Sequence, residues 1–173
     1  MSKITLILGG ARSGKSTYAE QRCLPNGRLK KRYIATAQIW DEETRERVNK
    51  HKDRRAQNWD VTEEVFKDLS QHLLKTEQPS QITLVDCLTL WLTNEMLSNE
   101  KEDINPVIDT FVENIAKLKQ PYVFVSNEVG MGIVPENALA RKFRDAQGRL
   151  NQKVAKVANQ VIFVAAGLPL KLK

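Results

Sequence analysis

Two groups of residues in this chain have the types and spacing of phosphate chemistry. The first is Gly9-Gly10-Ala11-Arg12-Ser13-Gly14-Lys15-Ser16, followed by Thr17, which fits the G-x-x-x-x-G-K-[ST] phosphate-binding loop counted from Gly9. Glycines let backbone N–H groups turn inward onto phosphate oxygens, and a helix N-terminus behind them adds a favourable dipole. In such a loop Lys15 reaches the β- and γ-phosphates and the Ser16 hydroxyl sits on Mg²⁺. The second group is His51, set among Lys50, Lys52, Arg54 and Arg55. Nearby cations disfavour imidazolium, and neutral imidazole is a competent nucleophile towards phosphorus. The same cations would neutralise triphosphate charge and help pyrophosphate leave. On residue types alone, the plainer reading of that stretch is a solvated charged face carrying an incidental histidine.

Two further stretches add carboxylates. Ile82-Thr83-Leu84-Val85-Asp86 reads as a buried strand ending in an acid, the pattern of a Mg²⁺-side carboxylate in phosphate-loop enzymes. Asn127-Glu128-Val129-Gly130-Met131-Gly132-Ile133-Val134-Pro135 is a loop with two glycines and one carboxylate. Glu128 there either orients an acceptor or its metal, or hydrogen-bonds the loop backbone.

The elements that must position these residues alternate between strand and helix. Ile4–Leu8 is apolar and β-branched and reads as the strand before the phosphate loop, and a helix runs from Lys15 to about Cys23. Pro25-Asn26-Gly27 ends it. Arg32 to Ala37 reads as a second strand whose small C-terminal residues leave room for a ligand. Asp41 caps a nearly all-polar helix running to about Arg55, and a helix polar all round is either a mobile arm or placed for function. Thr62 is expected to cap a helix with Val65, Phe66, Leu69 and Leu73 as its apolar stripe and His72 on the surface beside it. A helix from Leu88 to Leu97 carries Trp91, and Ser98 to Asp103 reads as an exposed loop. Asn105-Pro106 starts the next helix as N-cap and first residue. Tyr122–Ser126 is another buried strand. The helix from Asn137 to about Asn159 is assigned the stripe Leu139, Phe143, Ala146, Leu150, Val154 and Val157. Val161–Val164 is a strand, and Gly167–Leu172 returns antiparallel at the edge, where Pro169 is tolerated. The fold class implied is α/β: a single P-loop NTPase-type domain over 1–173, a mainly parallel sheet with helices on both faces and an antiparallel C-terminal edge strand.

The 173 residues suffice for one domain with a core, and the formal charge of +6 suits anionic small molecules. A nucleic-acid surface needs a basic stripe interleaved with aromatics, and the basic stretch from Lys50 to Arg55 holds none before Trp59. No apolar run approaches a membrane span, and no leader is evident at the N-terminus. Cys23 and Cys87 form neither a disulfide framework nor a metal-ligand spacing, so a reducing, cytoplasmic setting is expected.

Taken together, these stretches resemble the bifunctional adenosylcobinamide kinase / adenosylcobinamide-phosphate guanylyltransferase family of cobalamin biosynthesis. The residues that carry the resemblance are the phosphate loop, Tyr33-Ile34-Ala35-Thr36-Ala37, Arg47-Val48-Asn49-Lys50-His51-Lys52 with Trp59, Val85-Asp86-Cys87-Leu88-Thr89, the stretch Val125 to Pro135, and Phe143-Arg144-Asp145 with Gly148, Asn151 and Gln152. The Asn-Glu-Val-Gly-Met-Gly run is the most specific of them. The resemblance implies phosphorylation of adenosylcobinamide by ATP or GTP, then transfer of GMP from GTP to its phosphate through a guanylylated histidine. That histidine is His51 by motif position, with Lys50 where some relatives have a second histidine. It further implies nucleotide contacts from Gly10, Ala11, Arg12, Ser13, Gly14, Lys15, Ser16 and Thr17, from Ala35, Thr36 and Ala37, from Lys52, Asp53, Arg54 and Arg55, and from Glu63 and Asp86. Mg²⁺ would lie on Ser16 and Asp86, and the assembly would be a homotrimer. Two other readings stay open: a monofunctional small-molecule kinase in which the His51 region is only a lid, and a P-loop ATPase that binds nucleic acid.

Overall fold

The computed structural model describes residues 3–24, 29–38, 58–98 and 103–173. The helix expected from Asp41 to Arg55, with His51, Lys52, Asp53, Arg54 and Arg55, lies outside the described residues, as do the Pro25-Asn26-Gly27 turn and residues 99–102.

Among the described residues the strands are β1 (Ile4–Gly9), β2 (Lys30–Ala35), β3 (Val61–Glu64), β4 (Gln81–Asp86), β5 (Tyr122–Asn127), β6 (Gln160–Ala165) and β7 (Leu168–Lys171). The helices are α1 (Lys15–Cys23), α2 (Leu69–Thr76), α3 (Leu88–Ser98), α4 (Asn105–Ile115) and α5 (Ala138–Val157). One sheet takes the strands in the order β3-β2-β4-β5-β1-β6-β7. All neighbours run parallel except β6 and β7, which pair antiparallel with Pro169 opposite Val164 on the outer strand. The mainly parallel sheet and its antiparallel edge are therefore as expected from the alternation of strand and helix patterns.

Each inner strand is an unbroken apolar run because both faces are covered. Alternate residues feed two cores. Ile7, Tyr33, Leu84, Val123 and Val125 pack with Ala19 and Cys23 of α1 on one face. Leu6, Ile34, Val85 and Phe124 pack under α2, α3, α4 and α5 on the other, where Trp91 stacks on Phe111 at 4.4 Å between ring centroids. Burial pushes the thiols of Cys23 and Cys87 up to about 12 and about 11, so both are protonated small hydrophobes of the core.

Four local expectations are corrected. Thr62 caps no helix: Val61–Glu64 is a strand that closes the free edge of β2, and Val65 N–H continues to Ala35 O at 2.9 Å. Helix α2 starts only at Leu69, after Asp68 with φ of 49°. The β-branched Val61-Thr62 pair and the open β2 edge outweigh the helical spacing of Val65, Phe66, Leu69 and Leu73. His72 is not a free surface histidine, since its Nε2 lies 2.7 Å from Glu63 Oε2. In α4 the boundary shifts by one: Asn105 is already helical, and Asp103 Oδ1 takes its N–H at 3.1 Å. In α5, Asn137 is the N-cap, accepting from Ala140 N–H at 3.1 Å, but Leu139 is exposed while Gln147 and Asn151 are buried in its place.

Candidate functional site

The phosphate loop joins β1 to α1 at the carboxyl edge of the sheet. Its turn is too tight for side chains at two glycines. A Cβ at Gly9 would lie 2.4 Å from Ser13 Oγ and 2.5 Å from Val164 O. Gly14 has φ of 92° and sits against Gly167 of the β6–β7 hairpin, where a Cβ would come within 3.1 Å of Gly167 Cα. The hairpin also holds the loop through Gly167 N–H to Ser13 O at 2.8 Å. Gly14 is the N-cap of α1, and among the described residues no side chain caps that helix. Its first-turn N–H groups are left without a side-chain acceptor among the described residues, the arrangement that binds phosphate. The Ser13 hydroxyl is buried without a partner among the described residues.

Lys15 folds back over the loop, and its Nζ donates to Gly10 O at 3.0 Å. Burial lowers the ammonium's pKa, and the nearby Asp86 carboxylate offsets this only in part. A bound polyanion would supply the missing countercharge. Asp86 ends β4 beside this lysine, and Tyr33 OH donates to its Oδ2 at 2.7 Å. Trp59 packs edge-on to Tyr33 at 5.2 Å between ring centroids, against the residue that orients Asp86. Ser16 is half-buried at the start of α1. A hydroxyl, one carboxylate and bound phosphates are donors that suit Mg²⁺, which keeps water and substrate oxygens and needs no all-protein cage. Among the described residues no cluster of three or more His, Cys, Asp or Glu could hold a metal by itself.

The structure thus brings together Gly10 to Thr17 with Asp86, while Ala11, Arg12 and Thr17 lie exposed on the outside of the loop. Thr36 has different work. It is fully buried, its hydroxyl donates to Cys87 O at 2.6 Å and accepts from Cys87 N–H at 2.8 Å, and its own N–H reaches Asp86 O at 3.2 Å. It latches the end of β2 to the turn after β4, between Ala35, buried, and Ala37, half-buried. Glu63 is set apart: it shares a network with Arg32 and His72 on the α2 side of the sheet, and α1 packs on the other. Glu128 accepts from Gly130 N–H at 2.6 Å, the loop-bracing role left open by its sequence, and its own N–H donates to Gly9 O at 3.0 Å. Nothing in the sequence assigned a role of their own to Tyr33, Thr89 or Gly167. Gly167 carried a visible signal, since a glycine beside a strand end marks a turn, whereas Tyr33 and Thr89 look like ordinary strand and helix residues.

The family described as cobinamide kinase / cobinamide phosphate guanyltransferase matches the chain over residues 5–172. The chain is 41% identical over 168 residues to the bifunctional adenosylcobalamin biosynthesis protein CobP of Pseudomonas aeruginosa, covering 97% of this chain and 96% of that protein. It is 36% identical to CobU of Escherichia coli and 38% to CobU of Salmonella typhimurium, both carrying the same description, each match covering 97% of this chain and 98% of the relative. Among solved structures it is similar to the flagellar accessory protein FlaH of Methanocaldococcus jannaschii, with a TM-score of 0.54, 14% identity, and 99% and 78% of the two chains covered. It is also similar to a second solved structure, an ATPase domain, with a TM-score of 0.51, 12% identity, and 93% and 68% covered. At those identities the two structures speak for the fold alone.

Proposed function

The chain belongs to the cobinamide kinase / cobinamide phosphate guanyltransferase family, and on that premise we propose how its residues divide two reactions at one phosphate loop. It is a bifunctional transferase of cobalamin biosynthesis, a cobinamide kinase and cobinamide-phosphate guanylyltransferase. In the first reaction the acceptor hydroxyl of adenosylcobinamide attacks the γ-phosphorus of ATP or GTP, the β–γ bridging bond breaks, and the hydroxyl proton and the nucleoside diphosphate leave. In the second, an imidazole nitrogen of His51 attacks the α-phosphorus of GTP and pyrophosphate leaves. A phosphate oxygen of cobinamide phosphate then attacks that same phosphorus, the P–N bond breaks, and His51 is regenerated.

The loop from Gly10 to Thr17 and the open N-terminus of α1 hold the phosphates in both reactions, and Lys15 stabilises charge on the β- and γ-oxygens. Mg²⁺, held by Ser16 and Asp86 with phosphate oxygens, would supply further neutralisation of the triphosphate. Tyr33 fixes the rotamer of Asp86. Lys52, Asp53, Arg54 and Arg55 belong with His51 in the guanylyl-transfer half. Ala35 and Ala37 border the nucleotide, whereas we assign Thr36 and Glu63 to the scaffold, because their polar atoms are already engaged within the protein. We further read the protein as a cytoplasmic homotrimer acting on small molecules rather than nucleic acid. The family resemblance supports the trimer, and two buried, protonated thiols suit a reducing compartment. Among the described residues no helix is long and apolar enough to cross a membrane.

The observation that carries this reading is the uncapped N-terminus of α1 behind Gly14, Lys15 and Ser16, in a chain matched to the family over residues 5–172. Incubation with Mg²⁺ and GTP labelled at the α-phosphate, followed by denaturation, tests it. Acid-labile, base-stable label on the wild type and none on His51→Asn is the expected result. Absence of label under conditions where GTP binds would leave the monofunctional kinase as the better account.

A further inference from the structure

Strand β5 outruns its neighbour. Its pairing with β4 ends at Val125, opposite Asp86, whereas pairing with β1 continues to Asn127, opposite Gly9. Beyond Val125 the β4 side of β5 has no strand to satisfy it, and side chains take over. Thr89 of α3 accepts the Asn127 N–H through Oγ1 at 2.8 Å, and Asn151 of α5 donates Nδ2 to Asn127 O at 3.0 Å. Asn151 is itself held: Ser126 Oγ donates to its Oδ1 at 2.7 Å, and Gln147 Nε2 donates to both Ser126 Oγ at 2.9 Å and Asn151 Oδ1 at 3.0 Å. Thr89, Ser126, Gln147 and Asn151 are all buried. Burying four polar side chains costs free energy unless they bond one another; among the described residues all their polar groups but Gln147 Oε1 find partners, and a network of this kind is maintained where a fixed backbone matters.

What it fixes is a polar residue beside the phosphate loop. Asn127 lies in register with Gly9, and the next residue bonds Gly9 O. Its backbone N–H and C=O are both clamped, yet its side-chain Oδ1 is buried with no partner among the described residues. An amide held this firmly at the backbone and left unmatched at the side chain is poised for a group the protein does not supply. A half-turn about its terminal bond exchanges the carbonyl for the NH₂, so the same amide can present a donor to an anion. We propose that Asn127 is a specificity residue for the terminal phosphate: its amide donates to the γ-phosphate of the bound triphosphate, and Thr89 and Asn151 position it. This deepens the reading of the phosphate loop given above and rests on it.

Affinity is measured in the His51→Asn background, where no covalent step intervenes, by calorimetry with Mg²⁺ and either GDP or the β,γ-imido analogue of GTP. Asn127→Ala should weaken the triphosphate analogue by about tenfold or more, the scale of a lost hydrogen bond to a charged group, and leave GDP unchanged. Asn127→Asp, nearly isosteric, should weaken the analogue further through repulsion, which keeps the test decisive should the alanine variant misfold. Thr89→Val should reproduce part of the loss and Thr89→Ser restore it. Parallel weakening of both nucleotides, or of neither, would overturn the proposal. In the otherwise wild-type enzyme, Asn127→Ala should lower kcat of the kinase reaction far more than the rate of His51 guanylylation, since only the former moves the γ-phosphorus; equal losses would count against it. Because the binding measurement needs neither reaction, a failure of the catalytic assignment leaves it standing.

Discussion

Two polar clusters on the same sheet are finished in opposite ways. At the β2–β3 edge Arg32 is 1% exposed and its guanidinium is hydrogen-bonded within the protein. Its Nε and Nη2 grip Glu63 at 2.9 and 2.8 Å, and Nη2 also meets Thr76 Oγ1 at 2.7 Å and His72 Nε2 at 2.9 Å. At the carboxyl edge of β1, β4 and β5 the polar groups are unfinished. Lys15 is desolvated with a carbonyl as its hydrogen-bond partner, and among the described residues α1 has no side-chain cap and Ser13 Oγ and Asn127 Oδ1 have no partner. Unmade hydrogen bonds are expensive, so the difference separates scaffold from site: charge satisfied internally holds the sheet edge, and charge left open waits for a ligand.

Lys15→Ala breaks the comparison at its open end and should have the largest effect. Turnover in both reactions should fall about 10²–10³-fold, with the denaturation midpoint unchanged or raised because a buried cation is removed. Arg32→Met should do the reverse, costing about 1–3 kcal/mol in chemical denaturation through the lost charged hydrogen bonds to Glu63 and Thr76, with His72 still on Glu63, while the folded variant retains its affinity for nucleotide. Thr36→Val sharpens the boundary between the two clusters. The loss of both hydrogen bonds to Cys87 should cost about 1–3 kcal/mol with nucleotide affinity held. The smallest effect is one of pH. Burial pushes the Glu63 carboxyl up, but hydrogen bonds from Arg32 and His72 outweigh it and hold it below its ordinary value of 4.5. A carboxyl lowered by folding stabilises the protein fully above that value, and the contribution is lost as pH falls below it through the lowered one. Wild-type stability should therefore decline more steeply in that acidic range than the stability of Glu63→Gln.

Much of this was legible in the residues. The phosphate loop declares itself because glycine spacing and a lysine are demanded by backbone geometry, and β1, β4, β5 and β6 declare themselves because strands buried on both faces must be apolar throughout. Strand β3 was not legible: Val61-Thr62-Glu63-Glu64 is short, half of it is charged, and its one β-branched pair becomes a strand where the open edge of β2 receives it. Helix spacing concealed Gln147 and Asn151, since a buried polar face reads as solvent until its hydrogen-bond partners on β5 are known. Thr36 and Glu63 show the same limit from the side of family resemblance. Thr36 falls in a motif stretch and Glu63 among the contacts the resemblance implies, yet their polar atoms are spent within the fold, and no sequence pattern distinguishes a side chain that meets a ligand from one that meets Cys87 or Arg32.

Hydrogen exchange with and without Mg²⁺ and GTP, on His51→Asn to prevent turnover, tests the contrast between the two clusters most directly. The account predicts slowed exchange at residues 10–17, 86–89 and 127–128, and unchanged exchange at 61–64 and 69–76. Protection centred on β3 and α2, with the phosphate loop unaffected, would contradict it.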